Sequence, residues 1–456
     1  NLKLKMNYPK KTNLPVNDTC SICIIGLGYV GLPLASEFSK RKQSLLNGNI
    51  LNRKIMGFDL NKKRIEELKL GHDSTMETPP DDLKFLKNIE FTSDVKSIKK
   101  CDVFIVSVPT PIDKNKNPDL NFLEKATKTV GEIIGSNESK FTPIIIYEST
   151  VYPGTTEEIC VPILERNSGL KFNNDFYCGY SPERINPGDR EHRLTSIVKI
   201  TSGSNNAVAN WIDELYGSII EAGTYKAKSI KIAEAAKVIE NTQRDLNIAL
   251  VNELAKICKT LNIDTLDVLD AAGSKWNFLP FKPGLVGGHC ISVDPYYLTF
   301  KSKQEGYNPD IVLAGRNLND GMSEWIVEQL IKEIGSKKLS LKNCRVLILG
   351  ITFKENCPDT RNSKVLDIVK NLNKKDIVPY LYDPYISNKE KLKYNFNLMD
   401  QLPINVEEKF NIVIVAVAHK EFKDRDKNFW LKLVTEKNII YDLKGIVPRE
   451  LNTMRL

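Results

Sequence analysis

Short apolar runs rich in β-branched residues alternate with amphipathic stretches through the first half of the chain. The apolar runs cover residues 21–28, 54–60, 102–109, 143–150, 176–182 and 196–203, and helical patterns cover residues 32–40, 62–69, 121–134 and 156–165. Such alternation predicts βαβ units around a parallel sheet. Residues 103–108 are apolar at nearly every position, which is typical of a strand that is covered on both faces.

The pattern changes near residue 227, where a long stretch without proline or glycine begins. From residue 228 to about residue 261, apolar positions recur with the period of an α-helix. A helix of about 34 residues would span roughly 50 Å. That length exceeds what one small domain needs, so the segment is expected to connect domains or to form a dimer interface.

Strand and helix patterns resume after a polar segment at residues 335–343, with apolar runs at residues 345–351, 377–383, 411–418 and 438–443. We therefore predict an α/β protein with an N-terminal Rossmann-type dinucleotide-binding domain, a central helical domain with one long helix, and a smaller C-terminal Rossmann-like α/β domain. The predicted divisions are an N-terminal extension at residues 1–19 and domains at residues 20–226, 227–334 and 335–456.

Composition places the chain among globular proteins, because 41% of its 456 residues are hydrophobic and 27% are charged. The formal net charge is +8, but no run of five or six basic residues indicates a nucleic-acid surface. No apolar run reaches the ~18 residues of a membrane span, and the first 20 residues lack the apolar segment of a secretory signal. Cys20 and Cys23 form a CxxC, but no second pair follows and Cys23 lies within an apolar strand pattern, and none of the four histidines is spaced with another as a metal pair. We therefore expect a cytoplasmic protein without a metal site.

A glycine-rich loop closes the first predicted strand and opens the first predicted helix. Gly26, Gly28 and Gly31 form a GxGxxG pattern there, which allows a tight turn and lets backbone N–H groups approach a pyrophosphate. The second strand ends in Asp59, 28 residues after Gly31 rather than the usual ~20. A carboxylate at that tip would accept hydrogen bonds from an adenosine ribose and repel a 2′-phosphate, so the pattern favours NAD over NADP.

Two further segments carry side chains suited to oxidation chemistry. Cys290 lies in a glycine-rich loop four residues before Asp294, and a thiolate near a helix N-terminus is a good nucleophile. If this segment is helical, the two residues share one face. Lys237, Asn241 and Arg244 share one face of the long helix, because their offsets are four and seven residues.

Residues 147–155 and 181–188 follow predicted strands of the first domain. Ligands of parallel sheets bind beyond the carboxyl ends of the strands, so Glu183 is a candidate general base. Each candidate also has an ordinary structural explanation. Cys290 could be a buried packing residue, the polar face of the long helix a solvated surface, and Glu183 a neighbour of a helix cap.

Taken together, these motifs resemble the UDP-glucose/GDP-mannose dehydrogenase family of NAD-dependent nucleotide-sugar 6-dehydrogenases over nearly the whole chain. Further marks of the resemblance are residues 108–111, residues 149–151, and Phe353 and Lys354 with Arg361. The resemblance implies oxidation of a sugar C6 alcohol to a carboxylate with reduction of two NAD. It also implies that Cys290 attacks the intermediate aldehyde to form a thiohemiacetal and then a thioester.

The resemblance assigns site residues as well. The implied catalytic residues are Cys290, Lys237, Asn241, Asp294, Glu183 and Thr150. The implied NAD-binding residues are Gly26, Gly28, Tyr29, Val30, Gly31, Asp59, Arg64, Thr110, Thr150 and Arg361. The implied substrate-binding residues are Arg184, Ile185, Lys237, Asn241, Arg244, Lys275, Lys282, Gly288, Phe353 and Lys354.

The sequence of residues 181–192, SPERINPGDREH, resembles one branch of the family. That branch acts on UDP-N-acetylhexosamines and supplies uronic acids for surface polysaccharides. UDP-N-acetylglucosamine and UDP-N-acetylgalactosamine are therefore the expected substrates, with UDP-N-acetylmannosamine and UDP-glucose as alternatives. A homodimer through the long helix is also expected.

Two other functions are weighed against this one. A two-electron β-hydroxyacid dehydrogenase would need neither Cys290 nor residues 344–456, so both features argue against it. A non-catalytic NAD-binding protein would be expected to have lost some of the chemical residues, and Cys290, Lys237, Asn241, Asp294 and Glu183 are all present.

Overall fold

A computed structural model of the protein describes residues 13–75, 78, 80–185, 193–341, 344–386, 396–404 and 409–456. It forms two compact units. One comprises Asn1–Ile239 with Tyr296–Glu305, and the other comprises Glu240–Pro295 with Gly306–Leu456. Part of the predicted N-terminal extension (residues 1–12) and part of the segment that suggests the sugar (residues 186–192) lie outside the described residues.

The first unit is built on a six-stranded parallel sheet within the described residues, with strand order β3-β2-β1-β4-β5-β6. Its strands are β1 (Ser21–Ile25), β2 (Lys54–Phe58), β3 (Ile89–Thr92), β4 (Val103–Val106), β5 (Ile144–Tyr147) and β6 (Tyr177–Tyr180). Strands β1 and β4 are neighbours from which the chain proceeds in opposite directions across the sheet. Ligands of such sheets bind at this switch point.

Helices cover the sheet, and every residue of β4 and β5 is buried, as is all of β1 after Ser21. They are α1 (Gly31–Lys40), α2 (Lys62–Lys69), α3 (Asn121–Gly135), α4 (Val161–Ser168) and α5 (Asn206–Gly217), with shorter helical turns at Pro80–Asn88, Val95–Ile98, Thr156–Cys160 and Leu194–Ser196. The single helix predicted over residues 156–165 is divided, and its α-helical part begins only at Val161, with a proline in its first positions. Proline suits the first helical turn because it has no backbone N–H to donate.

Two details of the predicted sheet are wrong. Strand β3 was not predicted, because its burial alternates and its apolar signal amounts to Ile89 and Phe91. Residues 196–203 do not extend the main sheet. Within them, β7 (Lys199–Thr201) pairs with β8 (Thr224–Lys226) in a separate two-stranded sheet. The segment meets β6 in an antiparallel bridge between Gly179 and Gly203, so its direction is wrong for a parallel ladder.

The predicted long helix is confirmed as α6 (Ile230–Leu261), which spans 32 residues. Its first part belongs to the first unit and the remainder to the second. It is followed by α7 (Thr265–Gly273), α8 (Asp294–Gln304) and α9 (Asp310–Ser336). Helix α9 continues into the predicted polar linker and ends only where Lys338 adopts a left-handed conformation with φ 52°.

The second unit also contains a parallel sheet, with strand order β11-β10-β9-β12-β13-β14. Its strands are β9 (Val346–Leu349), β10 (Tyr380–Tyr382), β11 (Asn397–Leu398), β12 (Phe410–Val415), β13 (Val434–Asp442) and β14 (Met454–Arg455), accompanied by α10 (Lys364–Asn373) and α11 (Lys427–Leu433). The predicted α/β class with helical central part and Rossmann-like C-terminal part is confirmed. Strands β11 and β14 were missed, because two-residue strands carry no periodic signal.

The described residues include no helix whose length and hydropathy would let it cross a membrane.

Candidate functional site

The glycine loop joins β1 to α1 at the switch point of the first sheet. A side chain at Gly31 would place its Cβ 1.9 Å from the Gly26 oxygen and 2.4 Å from Ser107 Oγ, so only glycine fits. Ser107 Oγ donates to the Gly26 oxygen at 2.9 Å, and Tyr29 and Val30 lie half-buried before the helix. This close backbone packing is the cradle that a pyrophosphate requires.

Asp59 follows β2 and lies beside the glycine loop. Its Oδ2 accepts a hydrogen bond from the Leu27 N–H at 2.9 Å, and its Oδ1 accepts one from the Asn61 N–H at 2.8 Å. The side chain remains half-exposed. The carboxylate is therefore held at the strand tip by backbone donors, where a ribose could reach it.

Arg64 supports the same loop from the protein side. Its Nε donates to the Leu27 oxygen at 3.0 Å, and its guanidinium pairs with Glu67 and Asp73 at 2.8 Å each. Burial would raise the pKa of Asp73, but hydrogen bonds from Thr75 and Arg64 outweigh burial and lower that pKa. The buried guanidinium thus acts on the loop through the Leu27 carbonyl.

Thr110 and Thr150 follow the neighbouring strands β4 and β5. Thr110 Oγ1 donates to the Thr150 oxygen at 2.6 Å, so the two segments are joined just beyond the carboxyl edge of the sheet. Tyr297 of α8 donates from its hydroxyl to the Thr110 oxygen at 2.7 Å. Tyr297 was not predicted from the sequence, since a tyrosine within a helix carries no specific signal.

Glu183 follows β6 and is 8% exposed. Its Oε1 accepts the backbone N–H groups of Arg184 and Ile185 at 2.6 and 2.7 Å. Its Oε2 lies 3.7 Å from the ammonium of Lys199, which also contacts Glu148 Oε2 at 2.9 Å. A candidate base is therefore held by backbone donors on one side and by a buried lysine on the other.

The buried lysine, Lys199, therefore pairs with two carboxylates, that of the candidate base Glu183 and that of Glu148. Burial raises the pKa of Glu148 although the Lys199 charge opposes this, and the Tyr216 hydroxyl also contacts Glu148. Glu148 and Lys199 were not among the residues predicted from the sequence. Their signal was a charged residue within an apolar strand pattern, at residues 143–150 and 196–203.

The other candidates of the first unit differ in exposure. Arg184 donates to the Val198 oxygen at 2.8 Å, and Ile185 packs against the hydrophobic core. Lys237 is buried in the first part of α6. One turn earlier, Glu234 accepts backbone N–H groups of Gly154 and Thr156 at 2.6 and 2.8 Å.

In the second unit, Cys290 lies in a turn that leads directly into α8. The Cys290 oxygen accepts the Asp294 N–H at 2.8 Å, and α8 begins at Asp294. Cys290 therefore precedes the helix N-terminus and does not lie on a face of the helix. Asn241 of α6 donates to Asp294 Oδ2 at 2.6 Å, so these two predicted catalytic residues are in contact.

Residues 284–290, which we call the cysteine loop, pack against residues 353–362 of the same unit. A Cβ at Gly288 would lie 2.7 Å from the Phe353 ring, and Asn362 Nδ2 donates to the Gly288 oxygen at 3.0 Å. His289 Nε2 lies 3.1 Å from Asp359 Oδ2. These contacts bring two predicted substrate-binding residues, Gly288 and Phe353, together beside Cys290.

Asp359 connects the cysteine loop to Arg361, whose guanidinium pairs with it at 2.7 Å. Burial would raise the pKa of Asp359, but hydrogen bonds from His289 and Arg361 prevail and hold it well below its usual range. His289, Asp359 and Asn362 were not among the residues predicted from the sequence. His289 adjoins the cysteine in sequence, whereas the other two are brought close only by the fold.

The remaining predicted substrate residues lie at the surface of the second unit. Arg244, Lys275 and Lys282 have exposed side chains and Lys354 is half-buried. Lys282 also lines a small depression with Lys444 and Arg455. Exposed cations of this kind are available to an anionic ligand.

Each unit therefore offers distinct chemistry. The first contains a dinucleotide cradle and the buried carboxylate of Glu183. The second contains the half-buried thiol of Cys290 and, four residues later in the chain, Asp294, which is hydrogen-bonded to Asn241. Within the described residues, no group of three or more His, Cys, Asp or Glu side chains is arranged to hold a metal ion.

Comparison with known proteins agrees with this geometry. Models of the UDP-glucose/GDP-mannose dehydrogenase family match residues 20–220 (NAD binding domain), 231–321 (central domain) and 347–449 (UDP binding domain). A UDP-N-acetyl-D-glucosamine 6-dehydrogenase of Salmonella typhi is 54% identical over 439 residues, which cover 96% of this chain and 99% of that protein. A protein of the same name from Pseudomonas aeruginosa is 51% identical over 437 residues, with coverage of 95% and 99%. The solved UDP-D-ManNAc dehydrogenase of Pyrococcus horikoshii superimposes with a TM-score of 0.82 at 27% identity, covering 95% of this chain and 98% of that one.

Proposed function

The chain belongs to the UDP-glucose/GDP-mannose dehydrogenase family and is an NAD-dependent nucleotide-sugar 6-dehydrogenase, and we propose that its substrate is UDP-N-acetyl-D-glucosamine. The identity of 54% and 51% to two UDP-N-acetyl-D-glucosamine 6-dehydrogenases, over nearly their whole length, supports this sugar. We also propose the domain roles: residues 20–226 bind NAD, residues 227–334 form the central domain, and residues 335–456 bind UDP.

The residues of the glycine loop fit NAD. The space at Gly31 is closed to any side chain, and the half-exposed Asp59 carboxylate is suited to a ribose hydroxyl pair. When bound, NAD accepts the hydride from carbon 6. Thr110, Thr150 and Arg361 complete the proposed cofactor contacts, while Arg64 acts through the loop backbone.

The proposed chemistry uses the catalytic residues that the resemblance implies. In the first oxidation, the Asp294 carboxylate, held by Asn241, accepts the proton of the C6 hydroxyl. Lys237 then stabilises the oxygen that becomes negatively charged. The single observation that carries this proposal is the hydrogen bond of 2.6 Å from Asn241 to Asp294, which holds that carboxylate at the start of α8, four residues after Cys290.

In the second oxidation, Cys290 attacks the aldehyde and forms a thiohemiacetal. Loss of a hydride from carbon 6 gives a thioester, and water then releases the carboxylate. We propose that Glu183 removes the proton from this water, with Thr150 nearby. The thiol is regenerated, so that one sugar is oxidised by four electrons and two NAD are reduced.

We further propose a homodimer that forms through the central helices, in a cytoplasmic protein. Large apolar side chains are exposed along α6, with Leu250, Ile257 and Leu261 each about half or more exposed, and Trp276 is 92% exposed. An exposed apolar stripe of this kind marks an interaction surface. A second copy that presents the same stripe would cover it symmetrically.

The test is the amount of NADH formed per sugar consumed, with UDP-N-acetylglucosamine, UDP-N-acetylgalactosamine, UDP-N-acetylmannosamine and UDP-glucose in parallel. We expect two NADH per UDP-N-acetylglucosamine and slower turnover of the other sugars. Faster turnover of another sugar would overturn the substrate proposal. One NADH per sugar from the folded protein would overturn the thioester route.

A further inference from the structure

We propose that Asn252 is a positioning residue that fixes the cysteine loop and thereby sets the location of the Cys290 thiol for the second oxidation. The inference rests on the proposed function. It concerns contacts within the second unit, where Asn252 of α6, the cysteine loop and α9 all lie.

The side-chain amide of Asn252 pairs with the backbone of Gly284. Asn252 Nδ2 donates to the Gly284 oxygen at 3.0 Å, and the Gly284 N–H donates to Asn252 Oδ1 at 2.8 Å. Asn252 is fully buried. A primary amide supplies the donor and the acceptor that one peptide unit needs, so the two groups form a matched pair.

A buried network determines which way this amide points. Asn252 Nδ2 also donates to Asn319 Oδ1 at 2.8 Å, and Asn319 Nδ2 donates to Asp245 Oδ1 at 2.7 Å. Asp245 is paired with Arg316 at 2.5 Å. All four side chains are at most 1% exposed.

The direction of every hydrogen bond in this network follows from the ion pair. The Asp245 carboxylate can only accept, so Asn319 must present its NH₂ group to it and its oxygen to Asn252. Asn252 must then present its NH₂ group to Asn319 and to the Gly284 carbonyl, which leaves its oxygen for the Gly284 N–H. The charged pair therefore fixes the orientation of an amide at the start of the cysteine loop.

The cysteine loop is held at a second point only four residues later. Asn362 donates to the Gly288 oxygen at 3.0 Å, and two residues beyond Gly288 the chain reaches Cys290. The intervening Val286 is buried. Two amides on different elements thus hold the backbone that leads to the thiol, and a displacement of about 1 Å at a reacting group can cost about 100-fold in rate.

The two oxidation steps separate a positioning role from a general structural role. The first step, alcohol to aldehyde, does not require the thiol, whereas the second step does. Misplacement of Cys290 should therefore slow aldehyde oxidation selectively. Loss of folded protein would reduce both steps by the same factor.

The experiment compares Asn252→Asp and Asn252→Ala with the control Asn247→Asp. Asn247 lies on the same helix and its amide donates to the Gln243 oxygen at the surface. Each variant is assayed with the UDP-sugar and, separately, with its C6 aldehyde. Released aldehyde is trapped with hydroxylamine, and the rate of Cys290 alkylation by iodoacetamide is measured.

We expect aldehyde oxidation to fall about 10- to 100-fold in both Asn252 variants, with alcohol oxidation within about threefold of the parent. NADH per sugar should fall below two, and trapped aldehyde should appear. Equal losses in both steps, or Asn252 variants that match Asn247→Asp, would overturn the proposal. A parent enzyme that never yields two NADH per sugar would instead contradict the proposed function.

Discussion

Glu234 makes the stability of the first unit depend on pH in an unusual direction. This fully buried residue of α6 accepts the backbone N–H groups of Gly154 and Thr156. Burial raises its pKa from 4.5 to about 7, although these hydrogen bonds oppose the shift. Since each pKa unit corresponds to about 1.4 kcal/mol, the shift corresponds to about 3 kcal/mol.

The direction in which the free energy of unfolding changes with pH follows from proton binding to Glu234. Below pH 4.5 the folded and unfolded states both hold the proton on Glu234. Between pH 4.5 and about 7 the folded state alone holds it, so the free energy of unfolding decreases as pH rises. Above about pH 7 the free energy of unfolding is lower by the full amount of about 3 kcal/mol.

Glu234→Gln isolates this contribution because the glutamine is neutral at every pH. The variant still loses one acceptor for the two N–H groups, but that cost does not change with pH. Between pH 5 and 8 the Tm of the parent should therefore fall relative to Glu234→Gln by about 6–12 °C, at about 2–4 °C per kcal/mol for a unit of this size. Thermal unfolding of both proteins across this pH range measures the difference.

The exposed Glu66 of α2, on another helix of the same unit, provides the control. Glu66→Gln should show a constant Tm difference from the parent over the same range. A Tm difference for Glu234→Gln that is also constant within about 2 °C would refute the argument that burial holds the proton on Glu234.

Three other predictions concern the site. Cys290→Ala should abolish uronate formation, by product mass, while leaving NAD affinity, by calorimetry, unchanged; full uronate production would contradict the thioester route. Asp59→Ala should weaken NAD binding and raise the relative use of NADP, and an unchanged cofactor preference in kcat/KM would show that another residue sets it. Lys199→Met removes the partner of the buried Glu148 carboxylate at 2.9 Å and should destabilise the protein by about 3–5 kcal/mol. The double variant Lys199→Met/Glu148→Leu should recover most of that lost stability, measured as a higher Tm than that of Lys199→Met alone. A double variant as unstable as Lys199→Met would argue against the ion-pair explanation.

The sequence predicted the main elements because their signals are local. The strands of the first sheet are short apolar runs between helical patterns, and the 32 residues of α6 keep one period throughout. Edge elements were missed because their signals are weak or depend on distant parts of the chain. Half of β3 faces outward, and the pairing of β7 with β8 depends on the direction in which the chain passes β6.

The site was predictable to the extent that its residues lie in contiguous motifs. The glycine loop, Cys290 with Asp294, and Asn241 on the long helix could all be found from spacing. Lys199 and Glu148 could not be paired in this way, because they are 51 positions apart. Their proximity exists only in the folded chain.

Four residues that sequence patterns did not reveal, Glu148, Lys199, Asn252 and Asn319, share one physical property. Each is a polar or charged side chain that is buried and satisfied by a distant partner, as in the contact between Asn252 and Asn319, 67 positions apart. Leaving such a group without its partner costs about 1–3 kcal/mol, so each pair tolerates little displacement. Rigid backbone at a reacting group is what a covalent step needs. We therefore expect substitutions that keep the branched shape of the side chain but remove its hydrogen bonds, such as Asn319→Leu, to slow aldehyde oxidation more than alcohol oxidation, through the same loop that Asn252 holds.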